Sequence, residues 1–249
     1  MAQATSSGSS TPWGHLDNAI HLLTLRLAGV VPPEKLRELR VWRDEQLALA
    51  PTEPRLGRDF RTRIQQRFFT EYDYLLDENR ENVLLADQRV AAMIRRQLWQ
   101  HSSGPYRLLA YSVMPNHVHA ILEVVAPSGP PATLDAEDVD PAELNFVADR
   151  LDEEPDDSSP LGDFLRTFKQ ETASEAAGLL DDRRELAWHT DSFDFWIRSQ
   201  SELEAVIDYV AQNPVQAGLV SSPEQWFFSS AHERYLHDAS TSGWLPHTG

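Results

Sequence analysis

Two histidines one residue apart open the apolar run His117-Val118-His119-Ala120-Ile121-Leu122-Glu123-Val124. The run follows Tyr111-Ser112-Val113-Met114 across Pro115-Asn116, a turn signal. Read as a strand, it sends His117, His119, Ile121 and Glu123 to one face and Val118, Ala120, Leu122 and Val124 to the other. The imidazoles are then rooted about 6–7 Å apart and can converge on one metal ion. A pair of hydrogen-bonded strand histidines without a metal fits the same spacing. Almost ninety residues on, Tyr209 and Asn213 stand four apart and share a face of a predicted helix. That helix, Ser201–Asn213, has Leu203, Val206, Ile207 and Val210 as its apolar stripe. The Tyr209/Asn213 face lies about 70–110° from the stripe's centre. A boundary tyrosine that packs its ring and wets its hydroxyl fits this position too.

The elements that must position these residues can be read in order. Ala19–Leu27 predicts a strand, with Leu23, Leu25 and Leu27 on one face and Thr24 and Arg26 on the other. Pro32-Pro33 starts a helix to about Leu49, with Leu36, Leu39, Trp42 or Val41, and Leu47 apolar, and Pro51 and Pro54 break it. Arg58–Leu76 predicts a second helix on Phe60, Ile64, Phe68 and Leu75; its arginines suit a solvated face or a phosphate-contacting one. Asp87 reads as the N-cap of a helix to about Trp99 that buries Val90, Met93 or Ile94, and Leu98. Tyr106–Met114 and His117–Val125 form a hairpin. Pro160 opens a helix with the stripe Leu161, Phe164, Leu165, Phe168 and Thr172, ended by Gly178. Leu186–Ile197 supplies a strand near its end. Ser201 and Glu204 have the spacing of a capping box, Pro214 stops the helix behind them, and Trp226–Ser230 packs back on the body.

Composition narrows the chemistry. With no cysteine in 249 residues, disulfides and thiolate zinc sites are excluded, and a metal would need His, carboxylate, amide or water. The net charge of −17 argues against simple polyanion binding. Between Ile121 and Pro160, however, stand 12 acidic residues against one basic, Arg150, so most of the excess is confined to one segment. Residues 126–160 therefore read as an acidic surface insertion, mostly irregular, within one domain over 19–237. Residues 1–18 and 238–249 read as tails. Met1–Pro12 is polar with no apolar core of a signal peptide, and no stretch suits a membrane span, so a cytoplasmic location is expected.

Two separated motifs carry a resemblance. Val113-Met114-Pro115-Asn116-His117-Val118-His119 and Ile207-Asp208-Tyr209-Val210-Ala211-Gln212-Asn213-Pro214-Val215-Gln216-Ala217-Gly218-Leu219-Val220 together resemble the REP-associated tyrosine transposases of the HUH single-tyrosine (IS200-like) superfamily. The resemblance extends to Trp188, Phe193 and Trp196-Ile197-Arg198 before the tyrosine helix and to Trp226 and Ser229-Ser230 after it. It covers about residues 19 to 232, less the acidic insertion.

The resemblance implies an α+β, ferredoxin-like antiparallel sheet with helices packed on it, plus a helical N-terminal insertion and the acidic loop. By position, His117 and His119 match the metal-binding pair, Tyr209 the nucleophile, and Asn213 the amide that completes the metal site. Mg²⁺ or Mn²⁺ is the implied cofactor. The implied reaction is nicking and strand transfer of single-stranded DNA through a 5′-phosphotyrosine link, at hairpin-bearing sequences. Arg166, Lys169 and Arg198 are candidate DNA contacts, although Arg166 and Lys169 equally suit a plain helix surface. The implied partner is hairpin DNA, with no membrane, and the protein a monomer or homodimer. The alternative is a domesticated hairpin-binding protein with little or no cleavage.

Overall fold

The computed structural model describes residues 19–102, 105–125, 160–181, 184–197 and 199–232. The expected tails, the acidic insertion and Arg198 lie outside the described residues. Four strands form one antiparallel sheet: β1 (Ile20–Arg26), β2 (Tyr106–Val113), β3 (His117–Val124) and β4 (Phe193–Ile197), in the spatial order β2-β3-β1-β4. Helices α1 (Pro33–Leu47), α2 (Pro54–Glu78) and α3 (Gln88–His101) separate β1 from β2. Helix α4 (Pro160–Ala177) precedes β4, and α5 (Gln200–Gln216) follows it. Strand, helix, strand, strand, helix, strand in this order is the ferredoxin-like α+β arrangement, with α1 and α2 as additions before α3.

Period-two alternation gives the sheet two unlike faces. One carries Leu23, Leu25, Val118, Ala120 and Leu122, which α3 and α4 cover with Val90, Ile94, Leu98, Phe164, Leu165 and Phe168. The expected stripe of α4 is buried at every position from Leu161 to Thr172. The other face is shared by two helices. Helix α5 lays Leu203 and Val210 on Ile20, Leu22, Ile121 and Ile197. Beside it, α2 brings Phe68, Phe69 and Tyr72 onto Phe193 of β4. The histidines lie at the seam between these two helices. The outer edge of β2 is closed by the predicted return of the chain. Val113 donates its N–H to Phe228, Ser230 donates to Tyr111, and the Trp226 indole donates to the Val113 carbonyl at 3.0 Å. These bonds occupy ladder groups that an open edge would expose.

Four local expectations are corrected. Pro54 starts α2 rather than ending α1, because the Glu53 carboxylate caps the N–H groups of Arg55 and Leu56 and proline at the first position has no N–H to leave unpaired. The buried stripe of α2 runs through Phe68, Tyr72 and Leu76, with Leu75 at its margin. The cap of α5 is Ser199, whose hydroxyl accepts from the Glu202 N–H at 3.2 Å; Ser201 and Glu204 lie inside the helix. Pro214 does not stop α5. It lies within the helix, where it forfeits one bond to Val210, while Ala217 donates to Asn213 and Leu219 to Pro214. The end comes at Gly218, whose φ of 68° suits a residue without Cβ. Asp87 caps α3 as the sequence predicts, accepting from the Arg89 N–H.

Candidate metal and nucleophile site

The turn before β3 does more than reverse the chain. Asn116 is 3% exposed, and its Nδ2 donates to the carbonyls of Leu76 (2.8 Å) and Asn79 (3.0 Å), capping the C-terminal end of α2. With the amide nitrogen thus assigned, Oδ1 faces His117 Nδ1 at 2.7 Å. An amide oxygen only accepts, so His117 carries its proton on Nδ1 and presents an Nε2 lone pair. The His117 imidazole is held well below the ordinary range, first by burial and then by His119, so its neutral form is the stable one. On β1, Thr24 Oγ1 lies 2.9 Å from His119 Nδ1 and fixes the second ring.

The two Nε2 atoms then stand 3.1 Å apart, with both histidines fully buried. Two lone pairs at that distance repel unless a proton or a cation lies between them. From α2, Asp73 reaches the same point: its Oδ2 is 3.4 Å from His119 Nε2 and accepts from Asn213 Nδ2 at 3.3 Å. Asp73 is only 4% exposed, and burying a carboxylate is costly unless a cation or full hydrogen bonding compensates. Among the described residues its Oδ1 has no partner, nor has the Asn213 Oδ1, although Asn213 lies beside His117. Asp73, His117 and His119 offer ligand atoms within 4.8 Å of one another, so the cluster could bind a metal ion. The donor set fits. Two imidazole nitrogens, a carboxylate oxygen and an amide oxygen leave open positions in an octahedral shell of the kind Mg²⁺ and Mn²⁺ adopt.

Tyr209 stands over this cluster. Its ring packs edge-on to His119 with centroids 5.9 Å apart and against Phe69 at 5.2 Å. Its hydroxyl is buried and lacks a hydrogen-bond partner among the described residues. Burying a phenol oxygen unpaired is unfavourable. The position therefore favours whatever polar group comes next to the histidines.

The fold thus brings His117, His119, Tyr209 and Asn213 together. It does not bring Arg166 and Lys169 there: both lie on α4, on the opposite face of the sheet. Arg166 pairs with Asp163, and Lys169 donates to the carbonyls of His189 and Thr190. The sequence reading missed Asp73, Asn116 and Thr24 as parts of the site. Asp73 did leave a signal, being a carboxylate set among Phe68, Phe69, Tyr72 and Leu76 on one side of a helix.

No helix among the described residues is long and apolar enough to cross a membrane. No family model and no curated protein matches this sequence. Among solved structures, the chain is similar to a REP-associated tyrosine transposase bound to a REP hairpin, with 17% identity and a TM-score of 0.46, over 92% of this chain and 84% of that one.

Proposed function

We propose that the protein nicks and rejoins hairpin-bearing single-stranded DNA, with Tyr209 as nucleophile and a divalent ion held by His117, His119, Asp73 and Asn213. The observation that carries this reading is the convergence of Asp73 from α2, and of Asn213 and Tyr209 from α5, on the pair of buried imidazoles of β3. A bound ion would act as a Lewis acid on the scissile phosphate, drawing charge from its oxygens. Mn²⁺ is favoured over Mg²⁺, because imidazole is a poorer ligand for Mg²⁺ than for Mn²⁺.

The protein's own residues do the rest. Asn116 holds His117 in the tautomer that presents Nε2, and Thr24 holds the orientation of the His119 ring. Asp73 orients the Asn213 amide by accepting from its nitrogen, which turns the amide oxygen to the cluster. Phe69 and His119 wedge the Tyr209 ring and reduce its freedom before attack. The Tyr209 oxygen forms a bond to phosphorus as the bond to the 3′-oxygen breaks. The phenol proton ends, through solvent, on that 3′-oxygen. The products are a 5′-phosphotyrosine and a free 3′-hydroxyl. The phosphoester count is conserved, so a 3′-hydroxyl can reverse the step without ATP. Hairpin DNA as the substrate class rests on the resemblance of the two motifs, and aromatic stacking with cationic backbone contacts is how such strands are ordinarily held.

The test is covalent trapping. The protein is incubated with a pool of 3′-labelled, hairpin-bearing single strands and Mn²⁺, then run on a denaturing gel. An adduct is expected from the wild type and from none of Tyr209→Phe, His117→Ala or the EDTA control, with Asp73→Asn at least tenfold weaker. Retarded DNA without an adduct would instead establish the alternative reading, a hairpin binder that does not cleave. Adduct formation by Tyr209→Phe would remove the tyrosine from the mechanism.

A further inference from the structure

Arg26 is a buried cation that the site above does not use. It ends β1 directly opposite His117 in the strand register, so the two side chains share a face and their Cα atoms lie about 5 Å apart. Arg26 is 2% exposed. Its guanidinium lies 6.0 Å from the centre of the Tyr72 ring, and its Nη1 has no partner among the described residues. Leaving a buried guanidinium donor without an acceptor is costly.

The guanidinium borders a small cavity between α1, α2 and the start of β4, lined also by Arg40, Tyr72, Asp191 and Ser192. Its volume of about 10 Å³ suits one water-sized oxygen. Ser192 Oγ is a second buried polar atom there with no partner among the described residues. Arg40 and Asp191 are 23% and 24% exposed and pair at a long 3.8 Å, a loose contact that a stronger anion can displace. One residue along the chain, Thr190 belongs to a larger open groove of about 510 Å³ beside α4, which Arg166, Lys169, Trp188 and His189 also line. The His189 imidazole is pushed below its ordinary range by burial and then by the Arg26 charge, with Lys169 adding to it. Cations thus gather around this loop in a chain whose net charge is −17. The carboxylates that face them are Asp191 at the cavity, Glu185 at the groove and Asp163, the partner of Arg166.

We propose that the Arg26 cavity is a backbone-phosphate subsite for the DNA strand next to the scissile bond, and that the groove along α4 carries the strand to it. A non-bridging phosphate oxygen enters the cavity, accepting from Arg26 Nη1 and the Ser192 hydroxyl, while Arg40 turns from Asp191 to the same phosphate. Guanidinium forks match phosphate geometry, and the closeness of Arg26 to His117 places this phosphate beside the reacting one. The inference rests on the function proposed above.

Binding is measured in EDTA, so that nothing is cut, by fluorescence anisotropy of a labelled DNA stem-loop with single-stranded thymidine flanks over a salt series. Arg40→Ala should lose about one phosphate contact, lowering the log–log salt slope by about 0.7 and the affinity by about fivefold. Arg37→Ala makes the same charge change on the exposed side of α1 and should leave both near the wild-type values. Ser192→Ala removes a hydrogen bond without a charge, and should weaken binding about fivefold at an unchanged slope. Equal effects of Arg37→Ala and Arg40→Ala would mean a general field and overturn the subsite. Wild-type binding by Ser192→Ala and Arg40→Ala would mean a structural water and overturn it as well. In either case a tyrosine adduct in the trapping assay leaves the proposed function standing, whereas failure of the wild type to bind DNA refutes both.

Discussion

Asn116 ties the histidine pair to α2, and its removal has a calculable cost. Asn116→Ala deletes three hydrogen bonds at a residue 3% exposed: two donated to Leu76 and Asn79 and one accepted from His117. The His117 Nδ1–H is left buried without a partner, at about 1–3 kcal/mol, while the Leu76 carbonyl keeps the Asn79 N–H at 3.3 Å and loses about 1 kcal/mol. The Asn79 carbonyl is half-buried and can recruit water, so its loss costs about 1 kcal/mol. The sum, about 3–5 kcal/mol, is a large share of the 5–15 kcal/mol that holds a typical domain folded. Asn116→Asp separates the two roles. It keeps an acceptor for His117 and loses both donations to α2, so the chain is destabilised while the imidazole stays oriented. Urea unfolding followed by tryptophan fluorescence reads the first quantity, and Mn²⁺ titration calorimetry on the folded protein reads the second. Asn116→Ala should lose at least tenfold in Mn²⁺ affinity, the usual effect of removing a partner that orients a ligand histidine. Loss of less than about 1 kcal/mol of stability, with Mn²⁺ affinity unchanged, would refute the account of Asn116 as the link between turn, helix and ligand.

Two predictions concern pH. The buried His117 is held neutral, below its ordinary range, so below about pH 6.5 the unfolded chain binds a proton that the folded one refuses. Metal-free stability should therefore fall as pH drops below about 6.5, by up to about 1.4 kcal/mol per unit, and His117→Gln should flatten that slope in urea unfolding at stepped pH. Asp77, one turn along α2 from Asp73, is pushed up to about 6, chiefly by burial and then by the Asp73 charge. The folded state binds its proton more tightly than the unfolded state, so this group's contribution is present at about pH 4 and lost as pH rises through 6. Asp77→Asn should raise the thermal midpoint at pH 7 and change it little at pH 4; a rise of equal size at both would show that charge is not the cause.

Local periodicity determined much of this protein. The alternation of β3 is enough to put His117 and His119 on one face, and the 3.6-residue turn is enough to align Tyr209 with Asn213. The stripes of α3 and α4 were legible for the same reason, since burial on one side of a regular element writes itself into the spacing of apolar residues. Punctuation was harder to read. Ser199 and Ser201 compete as caps, and Pro54 and Pro214 begin or interrupt a helix according to which N–H groups the fold needs. Tertiary structure alone decided the rest. Asp73 joins the cluster because the Asn116 side chain seizes the end of α2 and sets its rotation over the sheet, a contact between residues about forty apart. Arg26 meets Tyr72, Arg40 and Ser192 only because α1, α2 and the approach to β4 close around one end of β1. No spacing within a single element encodes such meetings. They follow from which faces the whole chain must bury against each other, and that is settled only when the packing is complete.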